Sequence, residues 1–303
     1  MQRSLEKSIV SIIIPTNNSE ETIKECLISI YGQNYPSYEV IVVDNLSNDN
    51  TLETAKKFGA KIIRQKSNPA QARNTGVINS TGRYVLFLDS DQLLSPTVVE
   101  ECVERCENEK IGMVIIPEVF IGKGFWNSCS ATWKNGHEEV ARLYRDRKNI
   151  IPNKPRFFIR EEIMHVGMLD NSLHWGEDYD LYRKLKKVNV REVECESKIY
   201  HHEPTSVKDA MIKNLRYGKS MPVFVQRTRQ QIFPSMFEHA LLTFRKVLKD
   251  LNSPSVIIGC AILLFIKSCS TMIGLLLESA YFFRDVNRQD TDTILPKIIK
   301  EPI

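Results

Sequence analysis

Two hydrophobic periods alternate along the first 117 residues. Short runs rich in β-branched residues stand at Val10–Ile14, Glu39–Val43, Lys61–Arg64, Arg83–Leu88 and Gly112–Ile116. Their cores (SIII, VIVV, VLFL, MVII) are nearly unbroken apolar stretches, the pattern of strands buried on both faces. Helical patterns lie between them. Ile23, Leu27, Ile30 and Tyr31 share one face, opened by Ser19 with Glu20 and Glu21 in the first turn and closed near Gly32. Val99, Cys102, Val103 and Cys106 repeat that face after Pro96. The alternation predicts an α/β fold, a mostly parallel sheet flanked by helices, whose ligands bind beyond the carboxyl ends of the strands.

From Phe120 to His202 the periodicity weakens, and basic residues are in excess between Lys123 and Arg160. Val207–Lys219 and Phe233–Lys249 then read as helices, the second with Phe237, Leu241, Phe244 and Leu248 along one stripe and Arg245, Lys246 and Lys249 beside it. Val256–Phe283 is largely apolar. As a helix it is about 42 Å long, enough for a hydrocarbon core of about 30 Å. Lys267, Thr271, Gly274 and Glu278 fall on one stripe of it, so three placements are open: spanning a membrane, lying in its interface, or packing on the protein itself. The polar tail from Arg284 is expected to be loose. This divides the chain into an α/β domain over residues 1–230 and C-terminal amphipathic and apolar helices with a tail over 231–303.

Composition narrows the class. Hydrophobic residues at 42% and charged residues at 26% exclude a disordered or collagen-like chain. A net charge of +4 gives no ground for a nucleic-acid partner. Seven cysteines without a CxxC pair exclude a zinc ribbon and fit a reducing compartment. The apolar run before Pro15 is too short for a signal peptide, which places the first domain in the cytosol.

The polar residues gather after the strands: Pro15-Thr16-Asn17-Asn18 after the first, Asp44-Asn45 after the second, Asp89-Ser90-Asp91 after the fourth. If the extended chain persists, Asp89 and Asp91 point the same way and can share one cation. Hard oxygen ligands suit Mg²⁺ or Mn²⁺, which bridge carboxylates to a diphosphate. A second acidic cluster, Glu177-Asp178-Tyr179-Asp180, opens a helix after Trp175-Gly176. A carboxylate there either complements the helix dipole or serves as a general base.

The series VSIIIPTNN, EVIVVDNLSNDNT, NPAQARNTGVINSTGRYVLFLDSD and FFIREEIMHVGMLDNSLHWGEDYDLYRKL, in that order over about residues 9–205, resembles the family-2 inverting glycosyltransferases of the GT-A fold. The resemblance implies a nucleotide-sugar donor (a UDP- or GDP-sugar), Mn²⁺ or Mg²⁺, and sugar transfer with inversion. By the same resemblance Pro15 and Thr16 lie along the nucleoside, Asp44 contacts the base and Arg73 is near the nucleotide. Asp91 is the direct metal ligand, with Asp89 nearer the ribose. Asp178 deprotonates the acceptor, with Glu177 and Trp175 on the acceptor side. His202 reaches the metal or diphosphate, a role open to His201 as well. Asp44 is followed by Asn45 where family members often carry a second acid.

With the C-terminal helices, the expected acceptor is a lipid-linked or membrane-bound glycan or lipid, met at the cytosolic face of a membrane. Two other functions are open: a catalytically silent nucleotide-sugar-binding scaffold, which has no need of both acidic pairs, and a nucleotidyltransferase. The latter would carry a Gly-rich basic loop after the first strand, where this chain has PTNNSEET.

Overall fold

A computed structural model describes residues 8–144, 153–203, 206–228, 233–250 and 253–298. In chain order the elements begin with β1 (Val10–Thr16), α1 (Ile23–Tyr31), β2 (Tyr38–Asp44), α2 (Thr51–Lys57), β3 (Lys61–Arg64), α3 (Pro69–Ile78) and β4 (Tyr84–Phe87). There follow β5 (Gln92–Leu94), α4 (Val98–Glu109), β6 (Met113–Ile115), β7 (Glu118–Ile121), α5 (Phe125–Leu143), β8 (Phe157–Ile159) and α6 (Arg160–His165). The chain continues through α7 (Glu177–Lys187), β9 (Glu192–Glu194), β10 (Ile199–His202), α8 (Val207–Thr228), α9 (Phe233–Asp250) and α10 (Pro254–Ile298).

Seven strands form one sheet in the order β3-β2-β1-β4-β8-β6-β9. β3, β2, β1 and β4 run parallel, β8 is antiparallel to both its neighbours, and β9 returns parallel to β6. Thr16 pairs with Asp44, so the carboxyl ends of β1 and β2 stop level. A second sheet, β5-β10-β7, stands beyond that edge. The unbroken apolar cores of the strands are explained by burial on both sides. Ile12, Ile14, Val40, Val42, Tyr84 and Leu86 pack with α1 and α4, while Ile13, Ile41, Val43, Val85 and Phe87 pack with α3, α6 and α7.

Two sequence expectations change, at α8 and the tail, and two helices, α3 and α5, stand where the sequence reading assigned no element. The segment holding Arg73 is a helix, α3, opened by a capping box in which Asn68 accepts from the Gln71 N–H and the Gln71 side chain accepts from the Asn68 N–H. Its buried residues include Arg73 and Asn74, so no clean apolar stripe announces it. Helix α5 buries Cys129, Ser130, Ala131 and Gly136, a face of small residues with the same effect. Helix α8 runs past Lys219 and through Pro222 to Thr228. Finally, the tail expected to be loose continues α10 as helix to Ile298. The expected boundary between residues 230 and 231 lies outside the described residues, as do residues 145–152 of the basic stretch.

The C-terminal helices close on one another through glycine. A Cβ on Gly218 of α8 would stand 2.0 Å from the Thr271 carbonyl oxygen, and one on Gly274 of α10 would stand 2.1 Å from that of Leu215. Only hydrogen at these positions lets the two backbones approach so closely. Helix α10 turns Cys260, Leu263 and Ser270 inward, and Lys267 donates to Ser130 Oγ of α5 at 3.0 Å. Its opposite face exposes Ile258, Ile262, Phe265, Met272, Ile273, Leu276 and Leu277. Helix α9 is arranged the same way: His239, Thr243 and Val247 are buried against α5, while Phe237, Leu241 and Leu248 face out.

Candidate active site

A cavity of about 1010 Å³ opens at the carboxyl ends of β1, β2 and β4. Pro15, Thr16, Asn17 and Asn45 line its floor, and Arg73, Asp89, Glu118, Arg156 and His201 line one wall. Trp175, Gly176, Glu177 and Asp178 also line it, and α8 adds Lys213, Tyr217 and Phe224. Trp133, His137 and Glu138 of α5, Met236, His239 and Ala240 of α9 and Leu264 of α10 complete it. Residues from both sides of the expected 230/231 division thus share one cavity.

Arg73 is the hub. Its guanidinium donates to Asp89 at 2.7 Å and to Glu177 at 2.7 Å, joining the acidic pairs that the sequence presents 88 positions apart. Asp89 also pairs with Arg156 at 3.2 Å, and Arg156 reaches Glu118 at 2.6 Å. Burial works against an ionised Asp89, yet Arg156 and Arg73 outweigh it and hold its carboxyl well below the usual range.

Asp91 does not simply continue the strand beside Asp89. A turn intervenes, with the Gln92 N–H donating to the Asp89 carbonyl at 3.0 Å, so the extended spacing expected over Asp89–Asp91 is not what relates them. Asp91 instead meets His201 at 3.1 Å, and His201 reaches Glu118 at 3.4 Å on its other ring nitrogen. Burial disfavours a charged imidazole, but the two carboxylates prevail and push His201 up to about 9. His202, next on β10, lies in a separate recess with Glu21, Glu25, Asp91, Leu93 and Lys123, 4.0 Å from Glu25. Of the two histidines, His201 lines the main cavity.

Asp44 is fully buried and does not line the cavity. Its carboxylate accepts from the Ser47 N–H at 3.0 Å and from the Ser47 hydroxyl, and Arg64 stands 3.7 Å away. It ties down the loop whose Asn45 faces the cavity. Thr16 Oγ1 is buried without a hydrogen-bond partner at the cavity floor.

Glu177 and Asp178 open α7 behind Gly176, whose φ of 77° is left-handed. A Cβ there would meet the Phe224 ring at 2.7 Å, so glycine serves both the turn and the contact with α8. Asp178 pairs with Lys154 at 2.8 Å. Burial raises the Asp178 carboxyl, but Lys154, with Arg73 and Arg156 beyond it, brings it below the usual range and keeps it ionised. For Glu177 burial and the adjacent Asp178 charge win over Arg73, and its carboxyl is raised. Trp175 packs edge-on against Phe224, ring centroids 5.3 Å apart, and near Tyr217.

Sequence reasoning missed Glu118, Lys154, Arg156 and Lys213. Glu118 was within reach, because it follows the strand Gly112–Ile116 as the other acids follow theirs. Lys154 and Arg156 sit in the basic stretch, whose composition carried no positional signal. A divalent cation fits the hard carboxylate of Asp91, which lies in the recess with His202 and not among the residues lining the main cavity. Among the described residues no three such side chains converge as a closed ligand set, so a cation here would need further oxygens from elsewhere.

The family model described as Glycosyl transferase family 2 matches residues 11–168. Glycosyltransferase AglE of Haloferax volcanii is 42% identical over 230 residues, with 69% of this chain and 72% of that protein covered. An uncharacterized glycosyltransferase of Haemophilus influenzae is 29% identical over 187 residues, and the match spans 62% of its length. Among solved structures, the mannosyltransferase PcManGT from Pyrobaculum calidifontis, in complex with GDP-Man and Mn²⁺, aligns with a TM-score of 0.59 at 18% identity, covering 91% of this chain and 87% of that one. Staphylococcus aureus TarS 1–349 in complex with UDP-GlcNAc aligns with a TM-score of 0.54 at 16% identity, covering 90% of this chain and 91% of that one. Both likenesses are in fold, the GT-A arrangement of a mostly parallel sheet flanked by helices.

Proposed function

The chain belongs to glycosyl transferase family 2 and is a glycosyltransferase, and on that premise we propose that it moves a sugar from a UDP- or GDP-sugar to a membrane-linked acceptor, with inversion at the anomeric carbon. One observation carries the reading: Arg73 ties Asp89 and Glu177 together in a single cavity at the strand ends. The D-S-D side takes the donor, and the E-D side faces the acceptor. The donors bound by PcManGT and TarS support a nucleotide sugar without choosing between the two nucleosides.

Asp91 would hold Mn²⁺ or Mg²⁺ with His201 beside it, and a bound cation supplies neutralising charge to the diphosphate. Pro15, Thr16 and Asn45 bound the space for the nucleoside. Asp178, kept ionised by Lys154, takes the proton of an acceptor hydroxyl. With a lipid phosphate as acceptor its oxygen is already anionic, and Asp178 orients it instead. Trp175 and Glu177 wall the acceptor side.

The acceptor's membrane link rests on α9 and α10. The segment Pro254–Glu278 is long and apolar enough to cross a membrane, with a mean hydropathy of 2.2. Its inner face packs on α8 and α5, and Lys267 points inward, so the favoured placement is in the plane of the surface with the outer ridge in lipid. Exposed Arg245 and Lys249 beside the α9 ridge favour an anionic leaflet, and the cytosolic face is where a nucleotide sugar meets it.

The test is incubation of the full chain with UDP- and GDP-sugars, Mn²⁺ and a membrane lipid extract. The expected product is free nucleoside diphosphate together with a glycosylated lipid. Release of pyrophosphate would assign a nucleotidyltransferase, and no turnover with any donor would leave a binding scaffold.

A further inference from the structure

The charges around the cavity are almost all spoken for. Arg73 is held by Asp89 and Glu177, Arg156 by Asp89 and Glu118, Lys154 by Asp178, and Lys134 by Glu203. Among the described residues, Lys213 of α8 is the cavity-lining lysine or arginine with no carboxylate in ion-pair reach. Its one close partner is the Tyr217 ring, with the ammonium 6.0 Å from the centroid.

We propose that Lys213 is a catalytic residue that donates to the β-phosphate of the nucleotide-sugar donor and stabilises the departing diphosphate. This rests on the glycosyltransferase reading and adds a residue that neither acidic motif contains. When the anomeric C–O bond breaks, its electron pair passes to the β-phosphate oxygen, whose negative charge grows. A cation already committed to a protein carboxylate answers that charge weakly, because its field is spent in the ground state. An uncommitted ammonium responds most where charge develops.

Lys213 shares its cavity with Asp89, Arg156 and His201, and among the described residues it is the lining cation left for an incoming diphosphate. The groups that act on the Lys213 ammonium are Tyr217 first, then, against the cost of burial, Asp91, Glu203 and Asp89. Two of these are the ends of the D-S-D motif, and Asp89 lines the same cavity as Lys213. The helix is also held in place. Gly218 lies against the Thr271 backbone, Phe224 against Gly176, and Tyr217 near Trp175. The Lys213 stem therefore starts from a fixed point, and its flexible chain can carry the ammonium to a phosphate.

The experiment compares Lys213→Met and Lys213→Arg with the parent full chain, titrating UDP, GDP, UMP and GMP in Mn²⁺ and then measuring transfer. For whichever nucleoside binds, Lys213→Met should weaken the diphosphate about 10- to 100-fold, the loss of one charged hydrogen bond. The monophosphate, which lacks the β-phosphate, should bind unchanged, turnover should fall, and Lys213→Arg should recover most of both. Equal loss of mono- and diphosphate binding would mark a structural role and overturn the proposal. So would a defect confined to the acceptor KM. If the parent chain binds no diphosphate at all, the glycosyltransferase reading fails first and by a separate observation.

Discussion

Arg73 and Glu177 lie 104 positions apart and meet at 2.7 Å, with the Arg73 side chain 9% exposed. The same guanidinium reaches Asp89, so one side chain ties the D-S-D and E-D motifs together. Arg73→Met would leave two carboxylates facing each other without their shared cation. It is expected to lower unfolding free energy by about 3–5 kcal/mol, the usual cost of removing one partner from a buried ionic group. Arg73→Lys, a single point of charge, should recover only part. Urea melts of the three proteins check this, and a loss below about 1 kcal/mol for the Met variant would mean that the two motifs are held by other contacts.

Asp178→Asn keeps the shape of the side chain and removes its basicity. Turnover on a hydroxyl acceptor should fall about 10²–10⁴-fold with donor affinity unchanged. Undiminished turnover on a lipid phosphate would mark the anionic-acceptor route, and undiminished turnover on a hydroxyl would take Asp178 out of the chemistry.

Asp91→Ala should abolish metal-dependent donor binding. Calorimetric titration of the nucleoside diphosphate with and without Mn²⁺ reads this directly. A variant whose affinity still rises on adding Mn²⁺ would move the cation away from Asp91.

Glu138 gives a pH signature. Burial, reinforced by the Glu118 charge and only partly opposed by Lys154 and Arg156, pushes its carboxyl up to about 8 from a model-compound value of 4.5. Below pH 4.5 both the folded and unfolded chains hold the proton. Between 4.5 and about 8 the unfolded chain gives it up first, so this group's contribution to stability is lost as pH rises. Glu138→Gln should therefore melt higher than the parent at about pH 8.5 and much like it at about pH 4.5. Parallel melting curves across that range would show that Glu138 ionises normally.

Phe265 is 70% exposed at the centre of the α10 ridge. Replacing Phe265 and Ile262 with Glu should release the protein from anionic vesicles in a flotation assay and leave donor binding intact. Retention on vesicles would place the lipid contact elsewhere.

The parallel half of the fold was legible because β1, β2 and β4 are buried on both faces and say so in unbroken apolar runs. The site was legible where it follows those strands, as with Thr16 and Asp89. It was obscure where helices deliver it. Arg73 is buried on α3, where a charge interrupts the very pattern that would reveal the helix. Arg156 and Lys154 precede the short antiparallel strand β8, too brief to show a period. The apolar stripe of α9 was read correctly as a stripe, but stripe alone does not tell which side faces the protein. Here His239 and Thr243 turn inward and the stripe turns out.

Gly176 lies beneath Phe224, and that contact makes the C-terminal helices more than an attachment. The backbone turn that presents Glu177 and Asp178 is braced by a side chain from the helix that α10 clamps. A shortened chain ending before α8 would keep its whole seven-stranded sheet and both acidic motifs while losing the brace on one of them. Solubility gained by trimming the greasy end would come with a slackened turn at Glu177 and Asp178.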